Sequence, residues 1–127
     1  MSMSVVIVED EALIALDLEG IVEDAGFTVA GIATDMGEAL AIVAKSAVDL
    51  AIVDLRLAKG SSGLETARHL RIDHKVPTLF VSGTMNDEIV KQALTLAPVG
   101  FVEKPFTPTQ IQQPLDAAHY LKRHIHL

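Results

Sequence analysis

The sequence predicts a single α/β domain with a doubly wound (βα)5 fold, a five-stranded parallel sheet that carries helices on both faces. Short segments such as residues 5–8 and 50–53 are wholly apolar without alternation, which is typical of strands that are covered on both faces. Segments with apolar residues at helical spacing follow these strands. The chain has 127 residues, the size of one domain. We therefore expect residues 1–127 to form one unit without a visible output domain.

Composition restricts the class of protein. Half of the residues are hydrophobic and cysteine is absent, which excludes a disulfide scaffold, a Cys-ligated zinc site and thiol catalysis. The formal net charge of −7 has the wrong sign for binding phosphate backbones, so we expect no nucleic-acid partner. The apolar runs are far shorter than the roughly 20 residues of a membrane span. Residues 1–3 contain no basic leader region, so we expect a cytoplasmic protein with no membrane partner.

Strands and helices are predicted in strict alternation along the chain. The predicted strands occupy residues 5–8, 27–34, 49–54, 77–82 and 99–103. The first predicted helix follows residue 11 and ends at residue 25. The next three occupy residues 35–46, 62 to about 74, and 84–96, and the last begins at residue 107. This alternation predicts right-handed crossovers between parallel strands.

Several helix ends carry a local signal. Three predicted helix starts have a capping box: Ser62 with Glu65, Thr84 with Asp87, and Thr107 with Gln110. Gly26 is expected to be the C-cap of the first helix. Pro114 falls in the second turn of the last helix and has no amide hydrogen, so we expect it to kink that helix or to delay its start.

Acidic residues are concentrated where the predicted strands end, which is the edge at which doubly wound sheets bind ligands. Glu9, Asp10 and Glu11 follow the first strand, and Asp54 ends the third. No Gly-rich dinucleotide motif or Walker motif is present. Two carboxylates about 4 Å apart repel by about 4 kcal/mol at an effective dielectric constant near 20. We therefore expect a hard divalent cation such as Mg²⁺ at this edge.

Each acidic residue also has a structural interpretation. Glu11 is expected mainly as a favourable first-turn charge of the first helix. Glu9 and Asp10 could cap that helix or face solvent, and Asp54 could be a plain strand-end charge. Lys104 could merely neutralise the acidic cluster. The four carboxylates point to chemistry more strongly as a group than one by one.

Four segments together resemble the receiver domain of two-component response regulators. They are residues 5–10 (VVIVED), 52–54 (IVD), 80–83 (FVSG) and 101–106 (FVEKPF). The resemblance covers nearly the whole chain and implies a flavodoxin-like fold. It also implies that the protein is a phosphoacceptor in two-component or phosphorelay signalling, which catalyses its own phosphorylation and dephosphorylation and is otherwise not an enzyme.

The resemblance implies a role for each matching residue. Asp54 would accept the phosphoryl group and would also ligate Mg²⁺. Asp10 would ligate Mg²⁺ directly, Glu9 through water, and Arg56 through its backbone carbonyl. Lys104 would neutralise the transferring oxygens. The Mg²⁺ ion is the implied cofactor.

Further residues would transmit the signal or border the site. The Ser82 hydroxyl would bind a phosphoryl oxygen and Phe101 would follow by changing rotamer, although Ser82 could be an ordinary cap and Phe101 plain core. The bordering residues are Arg56, Gly83, Thr84 and Pro105, of which Pro105 would follow a cis peptide bond. Two residues depart from the commonest pattern: Glu9 stands where aspartate is frequent, and Ser82 where threonine is.

The implied partners are a phosphodonor and an output protein. A histidine kinase or histidine phosphotransfer protein would dock near Ile14, Pro105 and Phe106, although Phe106 could equally be core. The fourth helix, fifth strand and fifth helix would form the output face and a possible homodimer interface, whose geometry Pro114 could alter.

Two other functions are weighed. A phosphatase with an aspartyl-phosphate intermediate usually needs an acid two residues after the nucleophile, where Arg56 stands. A receiver-like domain that is never phosphorylated would be expected to lack Asp10, Asp54 or Lys104, and all three are present.

Overall fold

A computed structural model of the protein describes residues 2–57, 61–83 and 85–125. Strands and helices alternate in it as predicted. The elements are β1 (Ser4–Val8), α1 (Ala12–Asp24), β2 (Thr28–Ala33), α2 (Met36–Lys45), β3 (Leu50–Val53), α3 (Gly63–His74), β4 (Thr78–Ser82), α4 (Asp87–Leu94), β5 (Gly100–Glu103) and α5 (Pro108–Ile125). Within these described ranges, no helix has both the length and the apolar character that crossing a bilayer requires.

The strands form one parallel sheet in the order β2-β1-β3-β4-β5. The predicted flavodoxin-like (βα)5 fold is therefore confirmed. The chain order reverses at β1, which lies between β2 and β3. The carboxyl ends of β1 and β3 are thus direct neighbours at the switch point, where folds of this type bind ligands.

The core consists of one apolar layer on each face of the sheet. Val5 and Ile7 of β1 belong to the layer under α1 and α5, whereas Val6 and Val8 belong to the layer under α2, α3 and α4. Because both faces of the strand are buried, consecutive residues must all be apolar. This explains why β1 shows no alternation of polarity in the sequence.

Two of the predicted capping boxes lie at helix starts. The Ser62 hydroxyl accepts a hydrogen bond from the Glu65 amide at 3.2 Å and caps α3. At α5, the Thr107 amide donates to the Gln110 side chain at 2.9 Å, and the Gln110 amide donates to the Thr107 hydroxyl at 3.4 Å. These boundaries were readable from the sequence because the groups that set them lie within one helical turn.

The predicted start of α4 is wrong. The helix begins at Asp87, after Asn86, whose side chain accepts a hydrogen bond from the Ile89 amide at 2.9 Å. Asparagine is among the best N-cap residues, and aspartate is one methylene shorter than the glutamate or glutamine of a capping box. Thr84, the cap expected from the sequence, lies outside the described residues.

Two other expectations about helix ends also need correction. Ala25, not Gly26, is the C-cap of α1, and Gly26 follows it at φ +89°, in the left-handed region that glycine adopts without strain. Of the two effects expected from Pro114, a kink or a delayed start, the delayed start does not occur, because the helix begins at Pro108 and continues through Pro114. Ile111 and Leu115 are fully buried on both sides of Pro114, so core packing holds the helix across the missing amide.

Candidate functional site

The ends of β1 and β3 hold Glu9 and Asp54 beside each other. Val8 of β1 pairs with Val53 of β3 in register, and the Asp54 amide donates to the Val8 carbonyl at 3.0 Å. The Glu9 amide donates to the carbonyl of Ala33 at the end of β2, at 2.8 Å. The hydrogen-bonded backbone of the sheet therefore fixes the main-chain positions of Glu9 and Asp54.

Lys104 brings a cation to these carboxylates from the end of β5. Its Nζ lies 2.7 Å from Glu9 Oε1, 2.7 Å from Asp54 Oδ2 and 3.9 Å from Glu11 Oε2. The Lys104 side chain is only 14% exposed. It precedes a cis peptide bond to Pro105, as expected from the sequence. The structure thus brings together charged residues that are far apart in the chain.

The carboxylate of Asp54 is held at both oxygens. Oδ1 accepts hydrogen bonds from the Ser82 hydroxyl at 2.8 Å and from the Arg56 amide at 3.0 Å. Oδ2 accepts a hydrogen bond from Lys104 Nζ at 2.7 Å. Charge-assisted hydrogen bonds of this kind fix the orientation of a carboxylate. Asp54 therefore has one defined position at the edge of the sheet.

Glu9, Asp10 and Asp54 could together hold a metal ion. Their nearest carboxylate oxygens all lie within 4.8 Å of one another. Glu9 and Asp54 are buried and Asp10 is exposed, so the group opens to solvent on one side. Oxygen ligands from a few carboxylates, completed by water, are what Mg²⁺ requires, and this donor set fits that ion.

The site lies in an open cleft of about 360 Å³. The residues that line it are Asp10, Glu11, Asp54, Arg56, Leu57, Ser82, Gly83 and Lys104. Charged and small polar groups dominate this lining, and a Cβ at Gly83 would meet only Lys104 Cβ, at 4.0 Å. The cleft can admit a small anionic group next to the Asp54 carboxylate.

Burial changes the protonation preferences at this edge. Desolvation raises the pKa of Glu9, and the nearby charge of Asp54 adds to it, against the lowering effects of Lys104 and of the Glu11 amide. Burial by itself lowers the pKa of Lys104, but the contacts with Asp54 and Glu9 outweigh it, so this pKa is raised. Lys104 therefore keeps its positive charge in the site. The site disfavours any additional negative charge that no cation balances.

The remaining predicted residues have different surroundings. Phe101 is half-buried and stacks on Phe80, with ring centroids 5.5 Å apart and an interplanar angle of 18°. The Arg56 side chain is exposed at the mouth of the cleft. Ile14 and Phe106 are partly buried against the core layer under α1 and α5, so core packing accounts for part of each side chain.

Sequence reasoning missed two features near the site. Leu13 and Leu16 on α1 are 84% and 58% exposed, although the helical pattern of buried residues on α1 could have placed them outside. Gly63 packs against the backbone of Asp54. No sequence signal could have shown that packing, because the two residues meet only through the fold. Glu11, expected in the first turn of α1, is its N-cap residue instead.

Comparison with known proteins gives a consistent result. The chain matches the family model of the response regulator receiver domain over residues 5–116. It is 34% identical over 124 residues to the phyllosphere-induced regulator PhyR of Methylorubrum extorquens, covering 97% of this chain and 46% of that protein. It is 33% identical over 107 residues to the aerobic respiration control protein ArcA of Escherichia coli, covering 84% of this chain and 44% of that protein. The chain spans about half the length of these curated relatives.

Solved structures resemble the chain over almost its whole length. The signal receiver domain of a modulated diguanylate cyclase from Desulfovibrio desulfuricans has a TM-score of 0.88 and 28% identity, covering 97% of this chain and 98% of that one. The receiver domain of PhyR from Erythrobacter litoralis has a TM-score of 0.80 and 31% identity, covering 94% of this chain and 91% of that one.

The chain belongs to the response regulator receiver domain family. Receiver domains are the signalling phosphoacceptors of two-component systems and are not classical enzymes. They generally bind Mg²⁺ at an acidic pocket, and this chain has an acidic cluster at the corresponding edge of its sheet. Their usual partners are histidine kinases or phosphotransfer proteins.

Proposed function

We propose that Asp54 of this protein accepts a phosphoryl group from a phosphohistidine of a histidine kinase or histidine phosphotransfer protein. One observation carries the proposal: both oxygens of the Asp54 carboxylate are oriented by Lys104, Ser82 and the Arg56 amide in a cleft that is open to solvent. A purely structural aspartate would need neither the cleft nor the flanking carboxylates Glu9 and Asp10.

The proposed reaction is an in-line displacement at phosphorus. A carboxylate oxygen of Asp54 forms the new bond to phosphorus, while the bond from phosphorus to the donor imidazole nitrogen breaks and leaves its electron pair on that nitrogen. Lys104 and the Ser82 hydroxyl already contact Asp54, so they can shift their hydrogen bonds to oxygens of the arriving group. Mg²⁺ held by Glu9, Asp10, Asp54 and the Arg56 carbonyl would supply further charge neutralisation.

Phosphorylation is proposed to act on an output face through Ser82 and Phe101. A phosphoryl oxygen would draw the Ser82 hydroxyl away from Asp54 Oδ1, and Phe101, which is stacked on Phe80 at the neighbouring strand, would change rotamer. The face formed by α4, β5 and α5 would then change its affinity for a protein partner or for a second copy of this chain. Pro114 lies on α5 within that face.

The exposed part of α1 supports docking of the phosphodonor beside the cleft. Leu13 and Leu16 form an exposed apolar pair that begins two residues after Glu11, which lines the cleft. Isolated exposed leucines are ordinary, whereas a continuous apolar surface beside a reactive group is of the kind that protein partners cover. We propose that the donor covers this pair together with Ile14, Pro105 and Phe106.

The test is the intact mass after incubation with acetyl phosphate and Mg²⁺. We expect the unsubstituted protein to gain the mass of one phosphoryl group, and Asp54→Asn or added EDTA to abolish the gain. Asp49→Asn is the matched control, since Asp49 is a partly buried, ion-paired aspartate at the opposite edge of the sheet. A gain that persists in Asp54→Asn would refute the assignment. So would the absence of both a mass gain and a beryllofluoride complex in the unsubstituted protein.

A further inference from the structure

The start of α3 is fastened to the segment that follows Asp54. The Gly63 amide donates a hydrogen bond to the Leu55 carbonyl at 3.1 Å, and Arg56 forms an antiparallel bridge with Ser62. We call these four residues, Leu55, Arg56, Ser62 and Gly63, the clasp. The clasp joins the end of β3 to the start of α3, and its member Arg56 lines the acidic cleft.

Gly63 leaves no space for a side chain. A Cβ atom at this position would lie 1.8 Å from the carbonyl oxygen of Asp54, and 2.7 Å from both the Asp54 carbonyl carbon and Leu55 Cα. Real Cβ atoms essentially never come closer than 3.0 Å to such neighbours. The obstructing atoms are all backbone, so no rotamer change can relieve the contact. Any other residue at position 63 must displace the main chain of Asp54 or of α3.

The other helical glycines show that this contact is specific. A Cβ at Gly20 of α1 would meet nothing within 4 Å, and one at Gly37 of α2 would lie an ordinary 3.5 Å from the Asp35 side chain. Gly63 lies within α3, where every residue type can adopt the backbone conformation, so glycine is not needed there for a left-handed turn. What requires glycine at position 63 is the close approach to Asp54.

We infer that Gly63 is a positioning residue for the phosphoacceptor, and this inference rests on the proposed function of Asp54. Through the clasp, the start of α3 fixes the position of the Asp54 main chain. That position in turn determines where the Asp54 carboxylate lies relative to Ser82 and Lys104. The clasp also holds Arg56, whose amide donates to Asp54 Oδ1 and whose carbonyl is a proposed Mg²⁺ ligand. A side chain at position 63 would shift these groups by about 1 Å, and misplacement of that size can cost about 100-fold in rate.

The test compares Gly63→Ala with two control variants. Asp35→Ala removes the cap of α2, a carboxylate that accepts from the Glu38 amide, and so destabilises a helix start outside the clasp without placing an atom against Asp54. Gly20→Ala adds the same methyl group where the space is open. We expect Gly63→Ala to lower the rate of phosphorylation by acetyl phosphate by at least about tenfold and to weaken Mg²⁺ binding. Both controls should keep rate and affinity within about twofold of the unsubstituted protein, because neither touches Asp54.

The outcomes separate a positioning role from a structural one. If Gly63→Ala melts at a lower temperature but keeps the rate and the Mg²⁺ affinity of the unsubstituted protein, the inference is overturned. If the unsubstituted protein is not phosphorylated at all, the proposed function fails, and the Mg²⁺ affinity of Gly63→Ala still decides whether the clasp positions the acidic site.

A measurement on the unsubstituted protein decides the matter if Gly63→Ala does not fold. Coupling between two sites is reciprocal, so a clasp that positions the Mg²⁺ site must itself be stabilised when Mg²⁺ binds. We expect hydrogen exchange of the Gly63 amide to slow when Mg²⁺ is added, whereas the Ser46 amide, bonded to the Ile42 carbonyl at the far end of α2, should not change. Equal exchange at Gly63 with and without Mg²⁺ would refute the inference.

Discussion

Two lysine–aspartate pairs lie at opposite edges of the sheet and differ mainly in burial. Lys104 contacts Asp54 at the carboxyl edge, where the two side chains are 14% and 8% exposed. Lys122 contacts Asp49 at the amino edge, where they are 52% and 21% exposed. The same two residue types therefore form a largely buried pair at one edge and a largely exposed pair at the other.

The difference in burial decides what each pair can do. Solvent screens an exposed ion pair, so Lys122 and Asp49 add little beyond fastening the end of α5 near the start of β3. Removing charges from water is costly, and the buried group is tolerated because the positive charge of Lys104 lies 2.7 Å from both Asp54 and Glu9. A buried charge cluster that is costly to desolvate and borders a cleft can act on a ligand. The exposed pair can only link the end of α5 to the start of β3.

Removing the buried cation should have the largest effect. In Lys104→Met, Glu9 and Asp54 would remain buried beside each other without a counter-charge, so we expect the free energy of unfolding in EDTA to fall by about 3 kcal/mol. Urea denaturation followed by circular dichroism measures this change. A loss below about 1 kcal/mol would mean that the pair behaves like an exposed one.

Adding Mg²⁺ should stabilise the folded protein through binding at the carboxyl edge alone. At a free concentration of about 100 times its Kd, a ligand that binds only the folded state stabilises it by about 2.7 kcal/mol. We expect Mg²⁺ to raise the melting temperature of the unsubstituted protein and of Asp49→Asn, and to have little effect on Asp10→Asn. An equal rise in all three proteins would place the ion elsewhere.

Neutralising Glu9 should show the cost of burying its charge. Burial raises the pKa of Glu9 in the folded protein, so the stability that the neutral carboxyl provides is complete below about pH 4.5 and is lost as the pH rises through the folded pKa. Glu9→Gln stays neutral at every pH. In EDTA we therefore expect it to be more stable than the unsubstituted protein at neutral pH, and the two to converge in acid.

Urea denaturation at a series of pH values tests this sign. If the difference between Glu9→Gln and the unsubstituted protein does not vary with pH, the titration of Glu9 is not its cause.

Breaking the exposed pair should have the smallest effect. We expect Lys122→Met to lower the free energy of unfolding by less than about 1 kcal/mol, because water already screens both charges. The small effect should shrink further at high salt, where the Debye length is only about 3 Å. A larger, salt-independent loss in urea denaturation would show that the amino edge is as dry as the carboxyl edge.

Local sequence signals predicted most of the fold. The apolar runs of β1 and β3 and the capping residues Ser62 and Thr107 each depend on neighbours within a few residues, so the sequence contains all that is needed to recognise them. The start of α4 was mispredicted because two overlapping local signals, Thr84 with Asp87 and Asn86 with Ile89, compete for one helix start. Asparagine is the better N-cap and aspartate is short for a capping box, so the error lay in the weight given to each local signal.

The composition of the candidate site was also predictable, but its environment was not. Strand ends in a doubly wound fold meet at one edge, which is enough to group Glu9, Asp10, Asp54 and Lys104. Nothing in the sequence distinguishes Glu9, which is 1% exposed, from the adjacent Asp10, which is exposed. That distinction arises from the direction in which each side chain leaves the turn after β1.

The sequence by itself determined the alternation of strands and helices, and with it the edge at which the acidic residues gather, because periodicity and capping are local properties. Only the tertiary structure decided that Lys104 joins Glu9 to Asp54 and that Gly63 lies against the Asp54 backbone. Those contacts depend on the twist and spacing of strands that are distant in the chain. Burial and close approach are properties of the packed molecule, so no run of neighbouring residues can encode them alone.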